Sequence, residues 1–160
     1  METRNMEQTV ITPEEVLAHW QGHRSLTRRT IEAFPEDKLF TYSVGGMRPF
    51  GELALEMLHM AEPGLRGIVT RKWDKYGDAP SPTNKKDLLA AWDKTTDAIN
   101  TLWPQIPEGR FHEVDKAFGM WEGPMYWSLM YFIDNEIHHR AQGYVYLRSL
   151  GIAPPAFWER

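Results

Sequence analysis

Cysteine is absent from all 160 residues, which removes disulfides, thiolate zinc sites and a cysteine nucleophile together and suits a reducing cytoplasm. Any metal bound by this chain must be held by imidazole, carboxylate, amide or water. An excess of basic charge is missing as well: 18 Lys and Arg stand against 22 Asp and Glu, a net charge of −4, with the two signs interspersed. No broad basic face is left to neutralise phosphates, so nucleic acid is not an expected partner. Long apolar runs are also lacking. The longest, Met125 to Ile133, contains Ser128 and stops at Asp134, far short of the ~20 residues a membrane span requires. Met1 to Ile11 has no apolar core and does not read as a secretory signal. The expectation is a soluble, cytoplasmic protein with no membrane partner.

What is present is enough for one core. With 42% hydrophobic and 12% aromatic residues, residues 1–160 read as a single domain without repeats or a long linker. Proline and glycine mark the helix ends. Thr12-Pro13-Glu14-Glu15 supplies a cap, a proline at the first helical position and acids in the first turn, and Pro35 closes a helix over about 13–34. Pro49 opens a second over 49–71, with Pro63 inside it as an expected bend. Asp78 to Asn84 is a turn-rich connector to a third, over 84–103, ended by Pro104. Gln105 to Glu122 reads as a crossover loop with room for short strand or helical pieces. Pro124 opens the longest helix, over 124–150, with Gly151 as its left-handed cap and Pro154-Pro155 beyond. Four helices and no convincing strand alternation predict an all-α antiparallel four-helix bundle.

Chemistry-bearing residues concentrate on the second and fourth helices. Ile133 to Gln142 holds Asn135, Glu136, His138 and His139 within two helical turns. Residues three and four apart share a face, so Glu136 and His139 form one chelating pair and Asn135 and His139 another. Glu56 and His59 repeat the Glu-x-x-His spacing on the second helix, and facing helices could share one ion. His138 lies about 100° around the helix from His139 and takes no inward role. His19 and His23 read as a surface pair, and Arg140 and Arg148 as salt-bridged surface groups. The aromatic residues Trp121, Tyr126, Trp127, Tyr131, Phe132, Tyr144 and Tyr146 read as core. A dinuclear carboxylate site would need a mid-helix glutamate on each remaining helix. The first helix has Glu14, Glu15 and Glu32 only near its ends and the third has only aspartates, so a mononuclear site fits the inventory better.

The run from Asp134 to Gln142, followed by Tyr146-Leu147-Arg148-Ser149-Leu150-Gly151 and Pro154-Pro155, resembles the C-terminal helix of DinB-like proteins, named for damage-inducible expression. The position of His59 extends the likeness. That resemblance implies a four-helix bundle, often a homodimer, with zinc or nickel held by three histidines. His59 matches the first and His139 the last, whereas Asn135 stands where the middle one belongs. An amide oxygen is a poor ligand for these metals, which leaves Glu136 as the candidate third ligand or base. Relatives of the family include metal-dependent transferases and isomerases that use low-molecular-weight thiols. The enzyme implied is thus a thiol S-transferase acting on small electrophiles, with His59, Glu136 and His139 on the metal and Glu136 catalytic. The alternative is a metal-free small-molecule-binding or stress-response bundle. In it, Glu56, His59, Asn135 and His139 satisfy one another as polar groups of a cleft.

Overall fold

The computed structural model describes residues 9–160, so most of the stretch read above for a signal, residues 1–8, lies outside the described residues. Four helices carry the fold: α1 (Pro13–Ala33), α2 (Phe50–Thr70), α3 (Lys85–Leu102) and α4 (Met125–Ser149). Their ends follow from local chemistry. Thr12 Oγ1 accepts the Glu15 N–H at 3.2 Å and Glu15 Oε2 accepts the Thr12 N–H at 2.7 Å, a reciprocal capping box before Pro13. Asn84 accepts the Asp87 N–H at the head of α3. Gly151 takes φ 77° just past α4, a left-handed conformation that glycine adopts without strain. Helix α2 continues through Pro63 without a break.

Two hydrophobic clusters, one at each end of the bundle, reveal the helix directions. The first joins the start of α1 (Val16, Trp20) to the end of α2 (Leu65, Ile68), the end of α3 (Ile99) and the start of α4 (Met125, Leu129, Ile133). The second joins Ile31 and Phe34 to Phe50 and Leu53, Leu88 and Trp92, and Tyr146 and Leu147. Helices α1 and α4 therefore run together, opposite to α2 and α3. The bundle is antiparallel across α1/α3 and α2/α4 and parallel across α1/α4 and α2/α3. The cause is the segment between Thr70 and Lys85. At up to ~3.3–3.6 Å per residue, its ~14 residues can return along the whole bundle, so the stretch read as a mere connector is the crossover.

The long α3–α4 connection holds a small β-hairpin. Strands β1 (Val114–Ala117) and β2 (Trp121–Pro124) pair antiparallel with Val114 opposite Pro124 and Ala117 opposite Trp121. The turn between them carries Phe118 at φ 54° and Gly119 at φ 68°. Alternation over four residues per strand is too short to read from sequence. The hairpin is nevertheless held firmly: buried Arg110 donates to the Ile68 carbonyl at 2.7 Å and pairs with Asp115 at 2.6 Å and Glu113 at 2.9 Å. No described helix is long and apolar enough to cross a membrane.

Candidate functional site between helices α2 and α4

Phenylalanine rings seated on glycine backbone join the two helices that make the site. A Cβ on Gly143 would lie 2.5 Å from the Phe50 ring, and one on Gly64 would lie 2.6 Å from the Phe132 ring. Only glycine at these two places lets α4 settle against α2. Antiparallel packing then brings Glu56 opposite Asn135 and His139, which are one turn apart on α4.

Glu56 is the centre of the resulting network. Its Oε1 accepts from Asn135 Nδ2 at 2.8 Å and lies 3.0 Å from His139 Nε2, while Oε2 pairs with an Arg48 guanidinium nitrogen at 2.6 Å. Arg48 is itself anchored, because its carbonyl accepts the Tyr146 hydroxyl at 2.8 Å. The other imidazole nitrogen, Nδ1 of His139, is 2.7 Å from Gln142 Oε1, and Gln142 Nε2 reaches Met47 Sδ at 3.2 Å. Burial on its own would raise the Glu56 pKa, but the hydrogen bonds from Asn135, Arg48 and His139 outweigh it and hold the carboxyl below its ordinary value. An ionised carboxylate can only accept, so the Nε2 face of His139 is occupied as a donor. One atom is left over: Asn135 Oδ1 is buried and has no hydrogen-bond partner.

Because its folded pKa is depressed, Glu56 contributes stability that is present above the unfolded value of 4.5 and lost as pH falls through the folded one. Glu56→Gln should cost about 1 kcal/mol at neutral pH, a modest figure because Arg48 is half exposed and screened. Urea denaturation near pH 7 and near pH 4 checks this, since the difference from the parent should shrink at the acid end. An equal difference at both pH values would contradict the network.

The other sequence-derived candidates are elsewhere. His59 sits one turn on from Glu56, but its Nε2 is 3.2 Å from Ser81 Oγ on the crossover and its ring centroid 6.5 Å from that of Tyr76. Glu136, expected as a ligand or base, does not join His139. It is one residue from Asn135, hence about 100° around α4, and faces α1, where its Oε1 is 3.8 Å from an Arg24 nitrogen in a buried pair. Burial drives its pKa up to about 7 against the pull of Arg24 and Arg140. Among the described residues, no group of three or more His, Asp or Glu side chains is gathered to hold an ion.

Several residues read as surface or core changed places. Arg140 is buried and donates to the His23 carbonyl and Nδ1, both at 3.0 Å. His23 is buried rather than part of a surface pair. Its pKa is pushed down to about 4, first by burial and then by Arg140, His19 and Arg160. Trp121, Tyr126, Trp127 and Tyr131 are exposed rather than core. Arg48 and Gln142 were missed from sequence, as a loop arginine and a helical glutamine carry no signal until α2 and α4 are packed. Tyr76 was missed likewise, because only the crossover's path delivers it here.

The family model described as DinB family matches residues 1–160. No curated protein matches the chain. Among solved structures, a DinB-like protein from Bacillus subtilis superposes with a TM-score of 0.71 at 18% identity, covering 91% of this chain and 99% of that one. One from Bacillus cereus gives 0.68 at 22% identity, covering 94% and 99%. A mutant of the mycothiol-dependent maleylpyruvate isomerase gives 0.64 at 12% identity, covering 82% of this chain and 60% of that one.

Proposed function

As this chain belongs to the DinB family, we propose that it binds a small molecule on the α2–α4 side of the bundle through a polar centre of Glu56, Asn135 and His139 that works without a zinc or nickel ion. The single observation that carries this reading is the state of that centre. Glu56 is clamped by three donors, while Asn135 Oδ1 is buried and unpartnered, an acceptor suited to a donor group on a ligand. Buried polar groups are rarely left so.

Family membership is compatible with a metal, but the residues present do not fit a three-imidazole site. Asn135 offers an amide where such a site needs a nitrogen ligand. The Nε2 face of His139 is taken up by Glu56, His59 turns to Ser81, and Glu136 turns to Arg24. Loading zinc through Nε2 would require His139 to give up its contact with Glu56, and His59 to leave Ser81.

A second reading keeps the same cleft and takes a low-molecular-weight thiol as one ligand, making the protein a thiol-dependent transferase or isomerase acting on small electrophiles. The likeness to a mycothiol-dependent isomerase favours it. Elemental analysis of untagged protein, with His59→Ala and His139→Ala variants, tests the metal-free centre. No bound ion, and no uptake on titration with zinc or nickel, is the expected result. A near-stoichiometric ion lost in both variants would overturn the metal-free reading and make metal-dependent thiol transfer the better account. Whether this side of the bundle takes up a thiol is read separately, by calorimetric titration with mycothiol and bacillithiol.

A further inference from the structure

One turn of α4 before Asn135 lies a cavity of about 500 Å³ between α4, the hairpin and Met60 of α2, within the size range of small-ligand sites. Its walls are aromatic. Phe118 and Trp121 stand at 84° to each other with centroids 6.2 Å apart, and Tyr76 backs both, at 83° to Phe118 and 90° to Trp121. Trp127 and Tyr131 line the cavity from α4. Trp121, Trp127 and Tyr131 remain 49%, 63% and 56% exposed, an unusual cost for large rings that gain nothing from facing water.

The charges at this cavity have one sign. Glu122 and Asp134 line it, with no Lys, Arg or His in the lining. Lys116 is the strand partner of Glu122, yet neither Glu122 nor Asp134 forms an ion pair among the described residues. Ring faces carry negative quadrupole density and attract cations, tryptophan most strongly. Perpendicular rings offer such faces from several directions, and the two free carboxylates add to the same field.

We infer that this aromatic cavity binds an organic cation, a quaternary or alkylated ammonium carried on a small apolar body. Glu56, Asn135 and His139 are not among the residues that line this cavity, so the inference goes beyond the proposed function and stands without it. Neutral apolar molecules would satisfy the walls but leave Glu122 and Asp134 unanswered, and anions would be repelled by both.

Choline and its neutral carbon isostere, dimethylbutanol, differ in charge and little in shape. Titration of each into the full chain, followed by the indole N–H resonances of Trp121 and Trp127 in NMR, compares them directly. The expected result is at least about tenfold tighter binding of choline. That preference should fall in Asp134→Asn and Glu122→Gln, exposed positions where the fold is not at risk, and binding should be lost in Trp121→Ala. Equal binding of the two probes would overturn the cation assignment while leaving small-molecule binding standing. No indole shift with either probe would overturn it too. So would shifts that track protein concentration with a doubling of mass, which would give the aromatic face to a second copy of the chain.

Discussion

Glu136→Ala is expected to destabilise the protein by about 3–5 kcal/mol near pH 8, where the carboxyl is ionised, the cost of removing one partner from a buried ion pair. Arg24 and Arg140, 1% and 5% exposed, would keep their guanidinium charges in the α1–α4 interface with no carboxylate facing them. The same carboxyl makes stability depend on pH in a direction opposite to that of Glu56. Its pKa is 4.5 unfolded and about 7 folded, so between those values the native state holds a proton that the unfolded chain has released. The stability that Glu136 contributes therefore falls as pH rises from about 4.5 through about 7 and is level above that. Glu136→Gln should flatten this slope and lose less than the alanine variant. Urea denaturation of the parent and both variants near pH 5 and near pH 8 tests the pair of expectations. Because His23, held down to about 4, adds stability as pH rises through 6.5, the parent is read against Glu136→Gln, and equal pH slopes in the two would mean that burial does not govern this group.

Trp92→Ala should cost a similar amount, about 3–5 kcal/mol, and by a different route. Helix α3 buries only Leu88, Trp92, Thr95 and Ile99, and Trp92, wholly buried, is the largest of them. Its indole N–H donates to the Arg24 carbonyl at 3.0 Å, and Arg24 returns a bond to the Trp92 carbonyl at 3.0 Å. The Arg24 guanidinium carbon also stands 4.3 Å above the ring, so removing the indole empties a core site and bares the cation that faces Glu136. Trp92→Phe retains most of the apolar surface and loses the N–H bond, and should forfeit about 1–2 kcal/mol. Thermal and chemical denaturation of the two variants gives the comparison, and a phenylalanine variant as unstable as the alanine one would point to the hydrogen bond over packing. Because Arg24 belongs to both sites, Trp92→Ala and Glu136→Ala should not be additive.

The helices were legible because their ends are written in local chemistry. Thr12-Pro13 and Asn84 cap helices, Pro49 and Pro124 precede them, and Gly151 follows one, each acting on backbone within a few residues. The pair Asn135 and His139 was legible for the same reason, since i, i+4 spacing fixes a shared face in any α-helix. The hairpin at Val114–Pro124 was not, being two four-residue strands inside a loop rich in turn residues. The role of Glu136 was misread because one sequence position is about 100° of rotation, and spacing alone does not say which neighbour a face meets.

Composition, caps and periodicity by themselves determined that the chain makes four helices without disulfides, and that polar chemistry gathers on α2 and α4. These properties are local, and the chain carries them wherever it goes. Only the tertiary structure decided that α1 and α4 run parallel, that Glu56 rather than Glu136 meets His139, that Arg24 and Arg140 are buried, and that a ring of aromatics stays open to solvent. Those outcomes depend on the path of the α2–α3 crossover and on the close approaches at Gly64 and Gly143. They are relations between distant segments, which no periodicity within a single helix can express.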